Sequence, residues 1–220
     1  MLDKNKYQMI KLGKKDCEKI ARVHMDAFPN STLTKVGKKC VIKYYEWQFT
    51  DISKYNKLIY AYGIVAQDHL LAYTIFGKPR IALFGFIKNN KQFLLVYTLK
   101  VLLSLDRKQF KAIFKGVKIY ITNTFFKSQK DNNQKNNFEE NTIGLQVIAS
   151  IKEYNGLGFG KTLMNIMEQV AMENKFVMIH LSVDSKNYNA IKFYEKLGYV
   201  KKKDISGQWV NNQMIKKINN

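Results

Sequence analysis

Between Tyr154 and Lys161 the chain reads Tyr-Asn-Gly-Leu-Gly-Phe-Gly-Lys, and from Asn187 to Tyr199 it reads Asn-Tyr-Asn-Ala-Ile-Lys-Phe-Tyr-Glu-Lys-Leu-Gly-Tyr. Glycines at 156, 158 and 160 alternate with other residues after an apolar strand and before an amphipathic helix. In that setting successive backbone N–H groups converge on an anion at the helix N-terminus, and a phosphate-bearing cofactor is the natural guest. Two other phosphate loops fail on spacing. A Walker loop needs a glycine at 155, where Asn155 stands, although Gly160-Lys161-Thr162 is present. A dinucleotide fold wants Gly-x-Gly-x-x-Gly near the first strand, whereas this motif is Gly-x-Gly-x-Gly and C-terminal.

The elements that must position these residues can be read from apolar spacing. Ile143 to Ile151 predicts a strand, Gly160 to Asn174 a helix, Val177 to Val183 a strand and Ala190 to Leu197 a helix, with short strands near Tyr199 to Asp204 and Gln213 to Ile218. Strand, glycine loop, helix and strand in that order make a parallel crossover with its ligand at the strand ends, in a mixed α/β fold. Upstream, Ile20, Val23, Ala27 and Phe28 predict a helix over 15–28, stopped by Pro29-Asn30-Ser31, and a second helix is expected from Gly37 to Asp51. Leu58 to Val65 and Leu70 to Phe76 read as an antiparallel hairpin whose turn lacks an Asn-Gly signal.

Residues 88–118 have apolar and basic helical character, with Phe93, Leu94, Val96, Tyr97, Val101, Leu102 and Leu105 expected on one side and lysines among them. A segment of this kind covers a sheet as a helix pair, or lies on a membrane surface, or binds a partner. Residues 127–141 are polar and low in complexity, the composition of a mobile loop.

A length of 220 residues suits a single domain, 1–220, with an insertion. The opening segment is charged and lacks an apolar core, so the expected location is cytoplasmic. The longest apolar run, Phe93 to Leu105, is broken by Lys100 and falls short of the roughly 18–20 residues that span a bilayer. Cys17, Cys40 and the three histidines have no metal-site spacing, which predicts no metal. The formal charge of +20 could draw polyanions, yet only Arg22, Arg80 and Arg107 among the 37 basic residues are arginines. Nucleic-acid readers rely on the arginine fork, so nucleic acid is not the expected partner.

Together the two motifs resemble the GNAT superfamily of acetyl-CoA-dependent N-acetyltransferases. The family's loop pattern, Gln/Arg-x-x-Gly-x-Gly/Ala, is similar to Asn155-Gly-Leu-Gly158-Phe-Gly160, and its Asn-x-x-Ala-x-x-x-Tyr-x-x-x-Gly-Phe/Tyr signature to Asn187 through Tyr199. The resemblance implies a twisted central sheet flanked by helices, with the 88–118 insertion marking a bacterial subgroup. It implies acetyl-CoA as cosubstrate: Ile148 and Ser150 would pair with the pantetheine arm through the backbone. Asn155, Gly156, Leu157, Gly158, Phe159, Gly160 and Lys161 would hold the pyrophosphate, and Asn187 would hydrogen-bond the cofactor. Tyr194 matches the tyrosine that donates a proton to the leaving thiolate, and a phenol near pKa 10 is protonated at neutral pH, as an acid must be.

The base is not assigned. Relatives carry a Glu at the places of Gly144, Gln146 or Ser182, and no acid occupies them here. His180 and Asp184 share a strand face with Ser182, while Glu139, Glu140, His24 and Asp26 lie elsewhere. Ordered water reached through His180 or Ser182, or an amine already neutral, serves as well. The resemblance places Phe28, Ser31, Leu33 and Tyr44 at the acceptor pocket. The implied reaction is acetyl transfer to a primary amine, of a small molecule such as an amino sugar, by direct attack through a tetrahedral intermediate. A protein N-terminus or lysine is an alternative acceptor, and a non-catalytic acyl-CoA-binding or membrane-associated module is an alternative role.

Overall fold

The computed structural model describes residues 6–50, 58–77, 82–103, 107, 109, 111, 113–115 and 141–218. The chain divides into two compact units. One comprises Met1–Leu12, Asp51–Pro79 and Phe138–Asn220, and the other comprises Gly13–Thr50 and Arg80–Asn137. The loop expected at 127–141 lies outside the described residues except for Asn141.

The first unit is built on a seven-stranded sheet, ordered β1-β2-β3-β4-β5-β7-β6. Its strands are β1 (Gln8–Lys11), β2 (Ile59–Ala66), β3 (His69–Gly77), β4 (Thr142–Ser150), β5 (Met178–Ser182), β6 (Val200–Lys203) and β7 (Trp209–Lys217). Every neighbouring pair is antiparallel except β4 with β5. That one parallel pair is the expected crossover, made through the long helix over Phe159–Glu173. The β2–β3 hairpin turns on Gln67 and Asp68, both at positive φ (46° and 61°). Left-handed central residues match the twist of the flanking strands, so the turn forms without its usual Asn-Gly.

The helix over Phe159–Glu173 buries Phe159, Leu163, Met164, Met167, Val170 and Ala171. Met164 and Met167 join Phe76, Ile143, Ile179, Leu181 and Met214 of the sheet in the principal core. Burying each such side chain stabilises the fold by roughly 1.5–3 kcal/mol before ordering costs are counted. A short helix over Tyr188–Lys196 adds Ile191 and Tyr194 to the same cluster. Across this core, Lys216 on β7 forms a half-buried ion pair with Glu168 at 2.8 Å.

The second unit is helical: α1 (Cys17–Ala27), α2 (Thr32–Val36), α3 (Lys38–Phe49), α4 (Ala82–Asn89) and α5 (Lys91–Leu103). With these labels the two helices of the first unit are α6 (Phe159–Glu173) and α7 (Tyr188–Lys196). α1 turns Ile20, Ala21 and Val23 inward, and α3 buries Cys40, Val41, Tyr45 and Trp47. The Cys17 and Cys40 thiols are buried and reduced, and desolvation pushes both up to about 12. Trp47 of α3, Phe86 of α4 and Phe93, Leu94 and Tyr97 of α5 share one cluster, and Tyr97 Oη donates to the Val36 carbonyl at 3.0 Å.

The expected face of α5 needs correction at Val96, which is 51% exposed rather than inward with Phe93 and Tyr97. α5 is apolar nearly all round, so spacing alone does not decide which side meets the core. Leu105 and the side chain of Leu102 lie outside the described residues.

Candidate functional site

β4 runs along β3 from Gly144 to Ser150, but pairs with β5 only over Thr142–Gly144 against Met178–His180. Beyond Gly144 the β5-facing edge of β4 has no strand partner among the described residues. An unpaired edge beside a diverging neighbour accepts an extended chain by backbone hydrogen bonds. Ile148 and Ser150 stand on that stretch, opposite Thr74 and Ala72 of β3.

Within it, Phe76 and Ile75 are consecutive on β3 but face Leu145 and Val147, which leaves Gln146 as the extra residue of a β-bulge. Bulges re-aim a side chain and bend the strand, and they are common beside active sites. The Gln146 Nε2 amide is buried with no hydrogen-bond partner, an uncommon and costly state for a donor. Sequence reading marked position 146 only as lacking an acid. Nothing local in the sequence signals the bulge.

After β4 the chain makes one tight turn at Lys152–Tyr154 and enters the glycine loop. Ser150 Oγ donates to Asn155 Oδ1 at 2.8 Å, tying the end of β4 to the loop. Gly156 and Gly158 adopt φ of 86° and 83°, a region that disfavours side chains, and a Cβ built on either would meet nothing within 4 Å. The space above the loop is open. Gly158 caps α6 without any side-chain hydrogen bond to the first turn, so the first N–H groups, at the positive end of a 15-residue helix, have no side-chain cap among the described residues. Lys161 is exposed in that first turn, where a cation opposes the helix dipole unless an anion sits between them.

Two loop residues play parts the sequence did not reveal. The Phe159 ring is buried, edge-on to Tyr7 at 5.1 Å and stacked on Tyr154 at 6.2 Å, so this residue has only its backbone to offer a ligand. A Cβ on Gly160 would lie 3.2 Å from the Phe193 ring. The third glycine therefore lets α7 pack close to α6, a reason for glycine that does not involve phosphate. Leu157 is 51% exposed at the tip.

Asn187 caps α7, its Oδ1 accepting from the Ala190 N–H at 3.1 Å, which leaves the amide nitrogen to donate. About two turns further along α7, Tyr194 is buried between Phe193 (5.1 Å) and Tyr199 (5.9 Å). Desolvation pushes its phenol up to about 12, so it stays protonated at any physiological pH.

On β5 and just past its end, Leu181 and Val183 are buried, while His180 is half-buried and Ser182 and Asp184 are exposed, as alternation requires. His180 pairs with Gly144 at the last rung before the strands part. Its ring lies so close to Gly144 that a Cβ there would come within 2.5 Å. Burial, with Lys202 adding to it, holds His180 down to about 4 and keeps the imidazole neutral. Glu139 and Glu140 lie outside the described residues.

The other residues singled out from the sequence belong to the helical unit. His24 Nδ1 is 2.8 Å from Tyr45 Oη, and its Nε2 is 3.4 Å from Ser31 Oγ. Burial lowers His24 to about 4. Ser31 caps α2 by accepting from the Thr34 N–H at 3.1 Å, and Phe28 packs edge-on to the His24 ring at 5.1 Å. Leu33 and Tyr44 are half-buried against the Trp47 and Phe86 cluster. Among the described residues no three His, Cys, Asp or Glu side chains converge as a metal site.

The model of the acetyltransferase (GNAT) family matches residues 125–199, the stretch that contains β4, the glycine loop, α6, β5 and the Asn187–Tyr199 motif. Over that stretch the chain matches a GNAT acetyltransferase domain. The fold agrees with solved structures over nearly the full length. The PaiA N-acetyltransferase from Thermoplasma acidophilum, in complex with coenzyme A, is 14% identical with a TM-score of 0.52, covering 96% of this chain and 98% of that one. The ribosomal-protein-S18-alanine N-acetyltransferase from Escherichia coli gives 14%, 0.52, 96% and 94% by the same measures. The yncA protein of Salmonella typhimurium, with acetyl-CoA as its cofactor, gives 12%, 0.54, 98% and 95%. A search of curated proteins finds no match to this sequence.

In the matched stretch the open β4 edge, the two left-handed glycines and the uncapped start of α6 follow one another along the chain. Among the described residues no helix is long and apolar enough to cross a membrane.

Proposed function

We propose that the protein is an N-acetyltransferase that moves the acetyl group of acetyl-CoA to a primary amine of a small molecule, an amino sugar being the type of acceptor expected. The carrying observation is the unpaired edge of β4 leading into an uncapped α6 through Gly156 and Gly158, with Tyr194 held protonated on α7. Bound acetyl-CoA supplies an acetyl group activated as a thioester. The backbone N–H groups of 156–161 and the Asn187 amide bind and orient it, with Lys161 adding charge at the pyrophosphate. Tyr194 holds the proton that the departing thiolate must collect, a role worth typically ~10²–10⁴-fold in rate. His180, neutral near pH 7 and paired with Gly144 at the splay, receives the amine proton directly or through water beside Gln146 and Ser182. Phe28, Ser31, Leu33 and Tyr44 are assigned to acceptor contact, and the enzyme to the cytoplasm.

The test is release of coenzyme A thiol from acetyl-CoA with a panel of amino sugars, small amines and N-terminal or lysine peptides. Turnover on small amines that drops at least about tenfold in Tyr194→Phe supports the reading. Turnover on peptides alone replaces the acceptor. Thermal stabilisation by coenzyme A with no turnover on any amine makes the protein a binding module instead.

A further inference from the structure

α5 meets its own unit with only half its surface. Phe93, Leu94 and Tyr97 pack into the helical cluster and Val101 is buried, yet Leu95 is 65% exposed, Val96 51%, Leu99 52% and Leu103 84%. Leu95, Leu99 and Leu103 follow one another at four-residue spacing, with Val96 beside them, so at about 100° per residue they form a single outward stripe. Exposed Lys91 and Lys100 border this stripe, each roughly a quarter-turn from its centre. Further along, exposed Lys111 and Lys115 accompany Phe114, which is 66% exposed. Between residues 82 and 115 the only acidic residue in the sequence is Asp106.

We propose that the outward face of α5 is a docking surface for an anionic phospholipid bilayer. Leucine side chains flanked on both sides by lysines suit the boundary of a lipid leaflet: the apolar stripe enters the acyl region, and the ammonium groups reach back to lipid phosphates. Thirteen residues rise only about 20 Å, less than the roughly 30 Å hydrocarbon core, so the helix lies along the surface rather than across it. Charge selects lipid over a second copy of the chain. Pairing two such stripes would set lysine borders against each other in a chain of net charge +20, whereas anionic headgroups complement them.

Flotation of the full-length chain with phosphatidylcholine vesicles, and with vesicles containing about 30% phosphatidylglycerol, tests this directly. The expected result is binding to the anionic vesicles alone, weakened by salt and by Lys91→Gln with Lys100→Gln. Replacing Leu95, Leu99 and Leu103 by Ser touches none of the buried residues of the helical cluster, so the variant is expected to fold, as its circular dichroism melt will report, and to bind roughly 100-fold more weakly. Absence of binding to anionic vesicles overturns the proposal. Unchanged binding by the triple-serine variant also overturns it, since charge alone would then explain adsorption. A concentration-dependent dimer in sedimentation, lost in the same variant without any vesicle binding, assigns the stripe to a second copy.

Discussion

The imidazole of His180 fills the volume that a side chain on Gly144 would need, at the last paired rung before β4 and β5 separate. Position 144 carries no side chain, and the rung presents a neutral imidazole in that space.

Gly144→Ala forces that ring to move. Overpacking of this kind costs about 1–3 kcal/mol, so urea unfolding is expected to show a lower midpoint with an unchanged slope. If His180 takes the amine proton, His180→Ala regains the lost stability in the Gly144→Ala background but not the turnover. Equal turnover in His180→Ala and the parent would remove the base assignment.

Tyr194→Phe is expected to leave stability nearly unchanged, because the ring keeps its packing against Phe193 and Tyr199. Its kcat should fall at least about tenfold while the KM for acetyl-CoA stays within a few-fold, the pattern of a group needed only as the thiolate leaves. Steady-state kinetics at saturating amine separate the two constants.

Gly158→Ala separates binding from folding. The left-handed φ of 83° costs a non-glycine residue about 1–2 kcal/mol, and the open space around it adds no clash. If the proposed pyrophosphate site is right, coenzyme A binding measured by calorimetry is expected to weaken by more than this strain accounts for, because the added methyl group enters the open space around the loop. A loss of stability with unchanged affinity would place the pyrophosphate elsewhere.

Stability should depend on pH through two histidines. His24 and His180 are held down to about 4 by burial, whereas in the unfolded chain they titrate near 6.5. Between those values the unfolded state binds more protons, so stability rises with pH from about 4 to 6.5 and levels off above. Each ring contributes at most about 1.4 kcal/mol per pH unit in that window, less for half-buried His180. Denaturant midpoints at pH 5 and 7.5 will show the slope, and His24→Gln should flatten part of it.

Much of the first unit was legible because its signals are local. β2, β3, α6 and α7 follow apolar period and glycine punctuation, and the observed ends differ from the expected ones by a residue or two. β1 was not: Gln8–Lys11 is an edge strand without an alternating pattern, held by its pairing to β2. α2 is too short to show a period and depends on the Ser31 cap. The cofactor loop could be read from its glycines, but Gly160 answers to Phe193, far along the chain, and only the packed structure shows that. The bulge at Gln146 is equally non-local, since it exists only as a mismatch between β4 and β3.

The buried thiols of Cys17 and Cys40 bear on how such an enzyme would be assayed. At neutral pH a thiol with a pKa near 12 carries almost no thiolate, and attack on an aromatic disulfide reagent needs thiolate and access together. The native protein should therefore stay colourless in that reagent, so the yellow that develops during turnover counts released coenzyme A alone. The same reagent added after unfolding should find two equivalents per chain, an internal standard for protein concentration built into the polypeptide.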